Sequence, residues 1–178
     1  MDDLVRQAMA KWPNVPDCYG WLGLDARGHW YMRNDAAQAA GSFQTGLPNA
    51  KGSRVDNEKL KAFIERNYAS DAQGRWFFQN GPQRVYVELE NTPWIWRVDN
   101  SGAVHSHTGQ AAQVQAVLQD ELGHVYLYTA VGLGLVYTQD VACLADALEQ
   151  HAWPVQECIR VQLPERFGFV RSPANERA

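Results

Sequence analysis

Short runs in which apolar and polar residues alternate recur through the middle of the chain, and turn-forming residues bound each run. Alternation with a period of two is typical of strands with one buried face, because successive side chains point to opposite sides of a sheet. β-Branched and aromatic residues, which favour strands, fill these runs. The pattern predicts strands at about 20–24, 29–33, 75–79, 84–89, 93–98, 103–108, 114–119, 124–129 and 133–137.

A four-residue signal, D-x-x-G, separates several of these strands. Its copies begin at Asp25, Asp71, Asp99 and Asp120. Aspartate at the first position accepts hydrogen bonds from nearby backbone amides, and glycine supplies the left-handed conformation that closes a short loop. Each copy therefore predicts a β-hairpin. The similar spacing of three copies, 46 and 49 residues, leaves a duplication of helix–hairpin units open beside simple recurrence of hairpin chemistry.

Three segments have the apolar spacing of amphipathic helices that lie on a sheet. The first is the opening segment "DDLVRQAMAKWP", which ends before a proline. The second is "VDNEKLKAFIERNY", in which Asp56 is the predicted N-cap and Val55 and Leu60 have the spacing of a hydrophobic staple. The third is "TQDVACLADALEQHAWP", which ends at Pro154.

These elements predict an α+β fold: a largely antiparallel, bent or barrel-like β-meander of about eight or nine strands, with two or three amphipathic helices packed on it. The chain has 178 residues, and this length predicts a single globular domain over residues 1–170. The polar, glycine-rich segment 34–54 is interpreted as a long loop, of the kind that often serves as a mobile lid. The polar end, residues 171–178, is expected to be disordered.

Charge and composition argue against several classes of partner. The formal net charge is −4 and the 16 basic residues are scattered, so neither nucleic acid nor membrane is expected as a partner. The longest apolar stretch, "VYLYTAVGLGLVYT", is too short and too rich in glycine to span a bilayer. Cys18, Cys143 and Cys158 form no C-x-x-C pair, which is typical of free thiols in a reducing compartment. No signal-peptide pattern begins the chain, and the sequence predicts a cytoplasmic protein.

The hairpins, aligned on their glycines, separate two predicted faces. Trp30, Trp76, Val104 and Val125 share the first face, which is predicted to be core. The second face mixes rings with polar groups, and this mixture suits recognition of a ligand or a partner. Its candidate ligand-binding residues are Tyr31, Arg33, Phe77, Gln79, His105, His107, Tyr126 and Tyr128. The alternative is that a helix or loop covers this second face.

A strand-borne His-x-His pair offers a different chemistry. His105 and His107 are two residues apart, so a regular strand would present both imidazoles to one face, where a transition metal could bind. A metal-dependent enzyme is therefore the alternative hypothesis. No nucleophile, dinucleotide, phosphate-loop or zinc-protease signature accompanies the pair, and the sequence supplies no catalytic residue.

The stretches "WPNVPDCYGWLGLDARGHW" and "FIERNYASDAQGRWFFQNGPQRVYVELENTPWIWRV" resemble an uncharacterised family of proteobacterial proteins of unknown function, over roughly residues 12–140. The resemblance implies a bacterial cytosolic protein and carries over no site residues. The sequence thus favours a non-enzymatic module that binds an unidentified small molecule or protein and needs no cofactor. Exposed hairpin edges leave homo-oligomer formation open.

Overall fold

The computed structural model of the protein describes residues 1–177. Within that range the strands are β1 Cys18–Leu24, β2 Trp30–Met32, β3 Ser53–Arg54, β4 Tyr68–Ser70, β5 Trp76–Asn80, β6 Gln83–Leu89, β7 Trp94–Val98, β8 Val104–Ser106, β9 Ala111–Ala112, β10 Val114–Asp120, β11 Val125–Thr129, β12 Gly132–Val136 and β13 Val155–Cys158. The α-helices of the same range are α1 Asp3–Lys11, α2 Asp35–Ala40, α3 Pro48–Lys51, α4 Glu58–Arg66, α5 Val141–His151 and α6 Leu163–Phe167.

The predicted α+β class is confirmed. All nine predicted strands are present within about two residues of their predicted bounds. The additional strands β3, β4, β9 and β13 have two to four residues each. The chain divides into two compact units, the first from Met1–Asp25, His29–Asn91 and the end from Phe169, the second from Ala26–Gly28 and Thr92–Gly168. The single domain inferred from chain length stays a prediction beside this division.

The first unit contains a six-stranded sheet in the order β3-β2-β1-β6-β5-β4. Strands β1 and β6 pair in parallel, so the predicted meander is interrupted here, and the other pairs are antiparallel. Helix α4 packs on β5, where the rings of Phe63 and Phe78 meet edge to face at 5.4 Å. The N-cap of α4 is Asn57, whose side chain accepts a 3.0 Å hydrogen bond from the amide of Leu60. The predicted cap Asp56 is therefore wrong by one residue.

The second unit contains a seven-stranded sheet in the order β13-β10-β11-β12-β7-β8-β9. Two of its pairs, β10 with β13 and β12 with β7, are parallel. Trp96 is fully buried in this unit and donates a 3.0 Å hydrogen bond from Nε1 to the carbonyl oxygen of Leu127. No helix among residues 1–177 combines the length and apolar character that a membrane crossing requires.

Each D-x-x-G turn joins two antiparallel strands. In the turn at Asp120, the carboxylate accepts hydrogen bonds of 2.9 Å from the amides of both Leu122 and His124. The turns at Asp71 and Asp99 repeat this pattern with the amides two and four residues ahead. The turn chemistry is thus local, and a duplication of helix–hairpin units stays a prediction.

The structure describes the end of the chain as far as residue 177, and the expected disorder of residues 171–178 stays a prediction. Glu88 is almost fully buried on β6, and a buried carboxylate requires hydrogen-bond donors. The hydroxyl of Ser172 donates to Glu88 at 2.6 Å and the amide of Ala174 donates at 3.2 Å. Residues Pro173–Arg177 then form a 3-10 helix. Residue 178 lies outside the described range.

Candidate functional site

The eight residues of the predicted ligand face are divided between the two sheets. Tyr31, Arg33, Phe77 and Gln79 belong to the first unit, and His105, His107, Tyr126 and Tyr128 belong to the second. A shared face requires strands of one sheet. The predicted common face therefore does not form, and each residue has to be placed within its own unit.

Four of the eight residues are buried side chains of their units: Arg33, Phe77, Gln79 and Tyr126. Phe77 packs its ring against Tyr86 at 5.7 Å, and Gln79 donates a 2.9 Å hydrogen bond to the carbonyl oxygen of Gly81. Tyr126 is fully buried and donates a 2.8 Å hydrogen bond from its hydroxyl to Asp120. Their polar groups serve the fold, as in the alternative in which other elements cover this face.

The set predicted to be core is buried only in part. Trp30 and Val104 are buried, whereas Trp76 and Val125 are half-buried. Both sides of the central strands are covered, so alternation along one strand does not separate an inner from an outer face.

Arg33 is buried beneath the segment 34–54, which was interpreted as a long loop and in which the structure forms α2 and α3. Four hydrogen bonds of 2.6–3.3 Å run from its Nε and both terminal nitrogens to backbone carbonyl oxygens. Those oxygens belong to Gly20, Ala37, Gly41 and Ala50. Burial lowers the pKa of Arg33, and the charge of Glu88 acts in the opposite direction. Because three of the four acceptors lie within residues 37–50, Arg33 anchors this segment, which contains α2 and α3, to the sheet.

Tyr31 is covered by the same segment. Its ring centroid lies 5.9 Å from that of Phe43, which is fully buried. The ammonium of Lys51 lies 5.6 Å from the Tyr31 ring and 3.0 Å from a carboxylate oxygen of Glu90. Burial, followed by the charge of Asp25, raises the pKa of Tyr31. Tyr31 and Arg33 therefore contact a covering segment, and their role in ligand binding stays a prediction.

The His-x-His pair is divided by the end of its strand. Strand β8 ends at Ser106, so the side-chain alternation of a strand does not extend to His107. The Nδ1 atom of His107 accepts a 3.2 Å hydrogen bond from the amide of Ile95. His105 instead lines a cavity of the second unit. Within residues 1–177, no three His, Cys, Asp or Glu side chains form a group that could hold a metal ion, and the metal-dependent alternative stays a hypothesis.

The last of the eight residues, Tyr128, is half-buried on β11, where its ring lies 5.1 Å from that of Phe167. Tyr128 thus packs on the helix α6 of its own unit.

A bulge in β1 brings a different side chain to the surface of the first unit. Cys18 pairs with Val85 and Leu22 pairs with Val87, so four residues of β1 advance against two of β6. Gly20 lies in this interval with φ of 81°, a left-handed conformation that glycine adopts without steric cost. A bulge of this kind bends its strand and re-aims the neighbouring side chains. Trp21, the next residue, is 42% exposed.

Trp21 and Met32 together form the centre of a cleft in the first unit. Met32, at the end of β2, is 55% exposed. Two cavities meet at this pair, because both Trp21 and Met32 line each of them. We call the pair of cavities the Trp21–Met32 cleft.

The larger cavity of the cleft has a volume of about 630 Å³. Apolar surface covers more of its lining than polar surface does, but it is the more polar of the two cavities, and we call it the polar cavity. Its wall comes from α2, α3 and β3, the segment that Arg33 anchors. Asn34, Asn49 and Ser53 contribute polar side chains, and Ala36, Ala37 and Ala40 contribute small apolar ones. Arg33 lines the cavity, but its guanidinium already donates to the four carbonyl oxygens.

The smaller cavity is apolar and has a volume of about 270 Å³. Its wall comes from α4 and from strands β1, β5 and β6. The apolar lining side chains beside Trp21 and Met32 are Leu22, Leu60, Phe63, Ile64, Phe78 and Val85. Cys18, which is not in a disulfide, and Asn80 complete the lining.

The cleft can hold a molecule with an apolar part and a polar part. Asparagine and serine side chains donate and accept hydrogen bonds without charge, so they suit a neutral head group. The described residues that line the cleft include no Asp, Glu, His or Lys. The arrangement therefore supplies binding surface, and the titratable side chains among its described lining residues are Cys18 and Arg33.

Sequence reasoning missed Trp21 and Met32. In the sequence, Met32 lies inside the predicted strand 29–33, and Trp21 has the pattern of an ordinary strand tryptophan in "YGWLGL". The two glycines that flank Trp21 and Leu22 are the one available signal, since glycine within a strand often marks a bulge or a close backbone approach. Both roles occur here: Gly20 sits in the bulge, and a side chain at Gly23 would collide with Phe43.

Comparison with known proteins identifies a family of unknown function. No curated protein matches the chain. Among solved structures, the chain is similar to a DUF1285 family protein from Silicibacter pomeroyi, with 14% identity, a TM-score of 0.49 and coverage of 82% of this chain and 84% of that one. It is also similar to a DUF1285 family protein from Shewanella baltica, with 16% identity, a TM-score of 0.43 and coverage of 71% and 91%. Residues 1–174 match DUF2944, described as "Protein of unknown function (DUF2946)", and the chain therefore belongs to that family.

Proposed function

We propose that the protein is a non-enzymatic binding module and that the Trp21–Met32 cleft takes a small amphipathic molecule with a neutral polar head group. The observation that carries this proposal is the shared position of Trp21 and Met32. Each side chain is about half exposed and lines both the apolar and the polar cavity. A ligand that spans the two cavities would bury both side chains.

The apolar cavity supplies the driving force. Full burial of one large apolar side chain stabilises a complex by about 1.5–3 kcal/mol. Aromatic and methionine side chains are well suited to this role, because they present large, adaptable surfaces. An alkyl or cycloalkyl group of the ligand fits the wall formed by Leu60, Phe63 and Phe78.

The polar cavity sets the chemistry of the head group. The one charged group that lines it, Arg33, has carbonyl partners on three of its nitrogens. A carboxylate would enter without a free charged partner, which costs desolvation energy. An amide or a hydroxyl can instead exchange hydrogen bonds with Asn34, Asn49 and Ser53.

A cytoplasmic location is also part of the proposal, as the sequence predicts. It is supported by the three cysteines, none of which is in a disulfide.

Titration calorimetry with decanamide tests the proposed function, with decanoate and decyltrimethylammonium as charged comparisons. Decanamide should bind with one-to-one stoichiometry, and the two charged amphiphiles should bind more weakly. Trp21→Ala should weaken decanamide binding by roughly tenfold or more. Trp12→Ala is the matched control, because Trp12 is also an exposed tryptophan of the first unit but lines neither cavity.

Two results would contradict the proposed function. One is the absence of measurable heat with all three amphiphiles. The other is an equal loss of affinity in Trp21→Ala and Trp12→Ala, which would place binding outside the cleft.

A further inference from the structure

The second unit contains a separate cavity of about 400 Å³. Its walls come from the turn before β8, from strands β8 and β9, and from the residues at the end of α5. The cavity lies entirely within residues 102–153, so it shares no residue with the Trp21–Met32 cleft.

One wall of this cavity is a pair of stacked rings. The centroids of His151 and Trp153 lie 4.6 Å apart, and the ring planes differ by 17°. The residue between them, Ala152, ends α5 in the left-handed conformation with φ of 51°. The chain reverses at that point, where the amide of Trp153 donates a 3.2 Å hydrogen bond to the carbonyl oxygen of Leu148. The end of α5 is thus shaped to hold two flat rings together.

Small residues form much of the remaining wall. Gly102, Ala103, Ala111 and Ala112 line the cavity. A side chain added at Gly102 would approach His151 Nε2 at 3.5 Å and Ala147 at 3.4 Å. These are ordinary van der Waals distances, so the turn at Gly102 lies close to the end of α5. Ring surface on one side and small side chains on others suit a flat molecule better than a branched one.

The polar groups of the cavity are hydrogen-bond donors without an acidic neighbour in the lining. His105 projects from β8, where it pairs with Ala111 of β9, and Gln113 follows β9. Imidazole carries an N–H donor in its neutral form and two in its charged form, and the glutamine amide adds two more. The described lining residues include no Asp or Glu. The carboxylate of Asp99 interacts with His105 from outside the lining and accepts hydrogen bonds from the amides of Ser101 and Ala103.

We infer that this cavity is a binding site for a planar aromatic carboxylate. The aromatic ring of the ligand stacks on the His151–Trp153 pair. The carboxylate accepts hydrogen bonds from His105 and Gln113. A positively charged aromatic amine has no acceptor of matching charge in the lining, and a saturated carboxylic acid has no flat face to stack.

Chemical-shift titration of the full chain with 2-naphthoate, cyclohexanecarboxylate and 2-naphthylmethylamine tests this site. We expect 2-naphthoate to shift the imidazole C–H signals of His105 and His151 and the indole N–H signal of Trp153. Cyclohexanecarboxylate should bind roughly tenfold more weakly, because it cannot stack. The amine should leave the three signals unchanged.

Two variants and a control locate the binding. Trp153→Leu should weaken 2-naphthoate by roughly tenfold. Gln113→Ala should weaken it too, whereas Gln115→Ala should not, because Gln115 is exposed two residues further along and lies outside the cavity lining. The inference is overturned if 2-naphthoate at millimolar concentration leaves the three signals in place. It is equally overturned if the amine binds as well as the carboxylate, or if Gln115→Ala acts like Gln113→Ala.

Discussion

The Nε atom of Arg33 donates a 2.7 Å hydrogen bond to the carbonyl oxygen of Ala50, 17 residues further along the chain. This bond and its three companions hold α2 and α3 against the first sheet. The wall of the polar cavity is therefore tied to a buried side chain that sequence reasoning had assigned to ligand contact. Arg33 acts on the cleft through the wall that it anchors.

Loss of the Arg33 guanidinium should destabilise the first unit. Arg33→Met leaves four carbonyl oxygens without their donor, and buried acceptors without partners are costly. We expect the free energy of unfolding to fall by about 3 kcal/mol. Urea denaturation followed by circular dichroism measures this value.

Arg33→Lys is the matched variant, because lysine keeps the charge but lacks the planar guanidinium. It should therefore lower the free energy of unfolding by less than Arg33→Met does. A change below about 0.5 kcal/mol in Arg33→Met, the range of ordinary surface substitutions, would show that the segment does not depend on Arg33.

Gly23 should not tolerate a side chain, because Phe43 occupies the space above it. A Cβ atom at Gly23 would lie 2.5 Å from the Phe43 ring. Gly23→Ala should lower the free energy of unfolding by about 1–3 kcal/mol through overpacking. Phe43→Leu alone should also destabilise, but the double variant should lose less than the two single losses combined, since the smaller side chain makes room. Additive losses in this double-mutant cycle would mean that the two residues do not compete for the same space.

Acid should destabilise the second unit partly through Asp120. Burial alone would raise the pKa of Asp120, but hydrogen bonds from the Tyr126 hydroxyl, from the His124 and Leu122 amides and from the His124 ring outweigh burial and lower it. The folded state therefore binds this proton less readily than the unfolded state, whose aspartates have a pKa of about 3.9. The contribution of Asp120 to stability is present above that pH and is lost as the pH falls through it toward the folded pKa.

The free energy of unfolding measured against pH tests this relationship. Asp120→Asn should be less stable than the natural protein at pH 7, and the difference should shrink as the pH falls below about 4. Asp17→Asn controls for the substitution itself, since Asp17 is exposed. If Asp120→Asn and the natural protein differ by the same amount at neutral and acidic pH, Asp120 does not contribute through its charge.

Local signals allowed most of the elements to be predicted. The D-x-x-G turns form from aspartate, glycine and the amides between them, as at Asp71 and Asp120. Every strand of five or more residues is among the nine that were predicted. The predicted N-cap of α4 was Asp56 and the observed N-cap is Asn57, the next residue. Both side chains can accept the capping hydrogen bond, so the sequence pattern does not distinguish them.

Relationships between distant parts of the chain could not be predicted in the same way. Parallel pairing of β1 with β6 depends on which strands meet, and neither strand carries a signal for its partner. The predicted ligand face required all of its strands to belong to one sheet. The structure divides those strands between two sheets, so the eight residues do not share a face. The hydrogen bond from Ser172 to Glu88 joins residues that are 84 positions apart.

The candidate site was missed for a related reason. Trp21 is exposed because a bulge interrupts the alternation of β1, and a bulge is a property of the pairing with β6. The cavities at Trp21 and Met32 are formed by α2, α3 and α4 together with the sheet. In the sequence, the glycines around Trp21 are the one sign of the bulge.

Ligand binding in the Trp21–Met32 cleft is measured most directly through Cys18, which lines the apolar cavity. The rate at which N-ethylmaleimide modifies each cysteine can be followed by peptide mass spectrometry, with and without decanamide. Cys143 is an internal control, because it is half-buried in the second unit and distant in sequence from the cleft. Decanamide should slow modification of Cys18 severalfold and leave Cys143 unchanged, and Met32→Lys should abolish the protection by placing a charge at the cavity mouth. Equal Cys18 rates with and without saturating decanamide would contradict the proposed binding site.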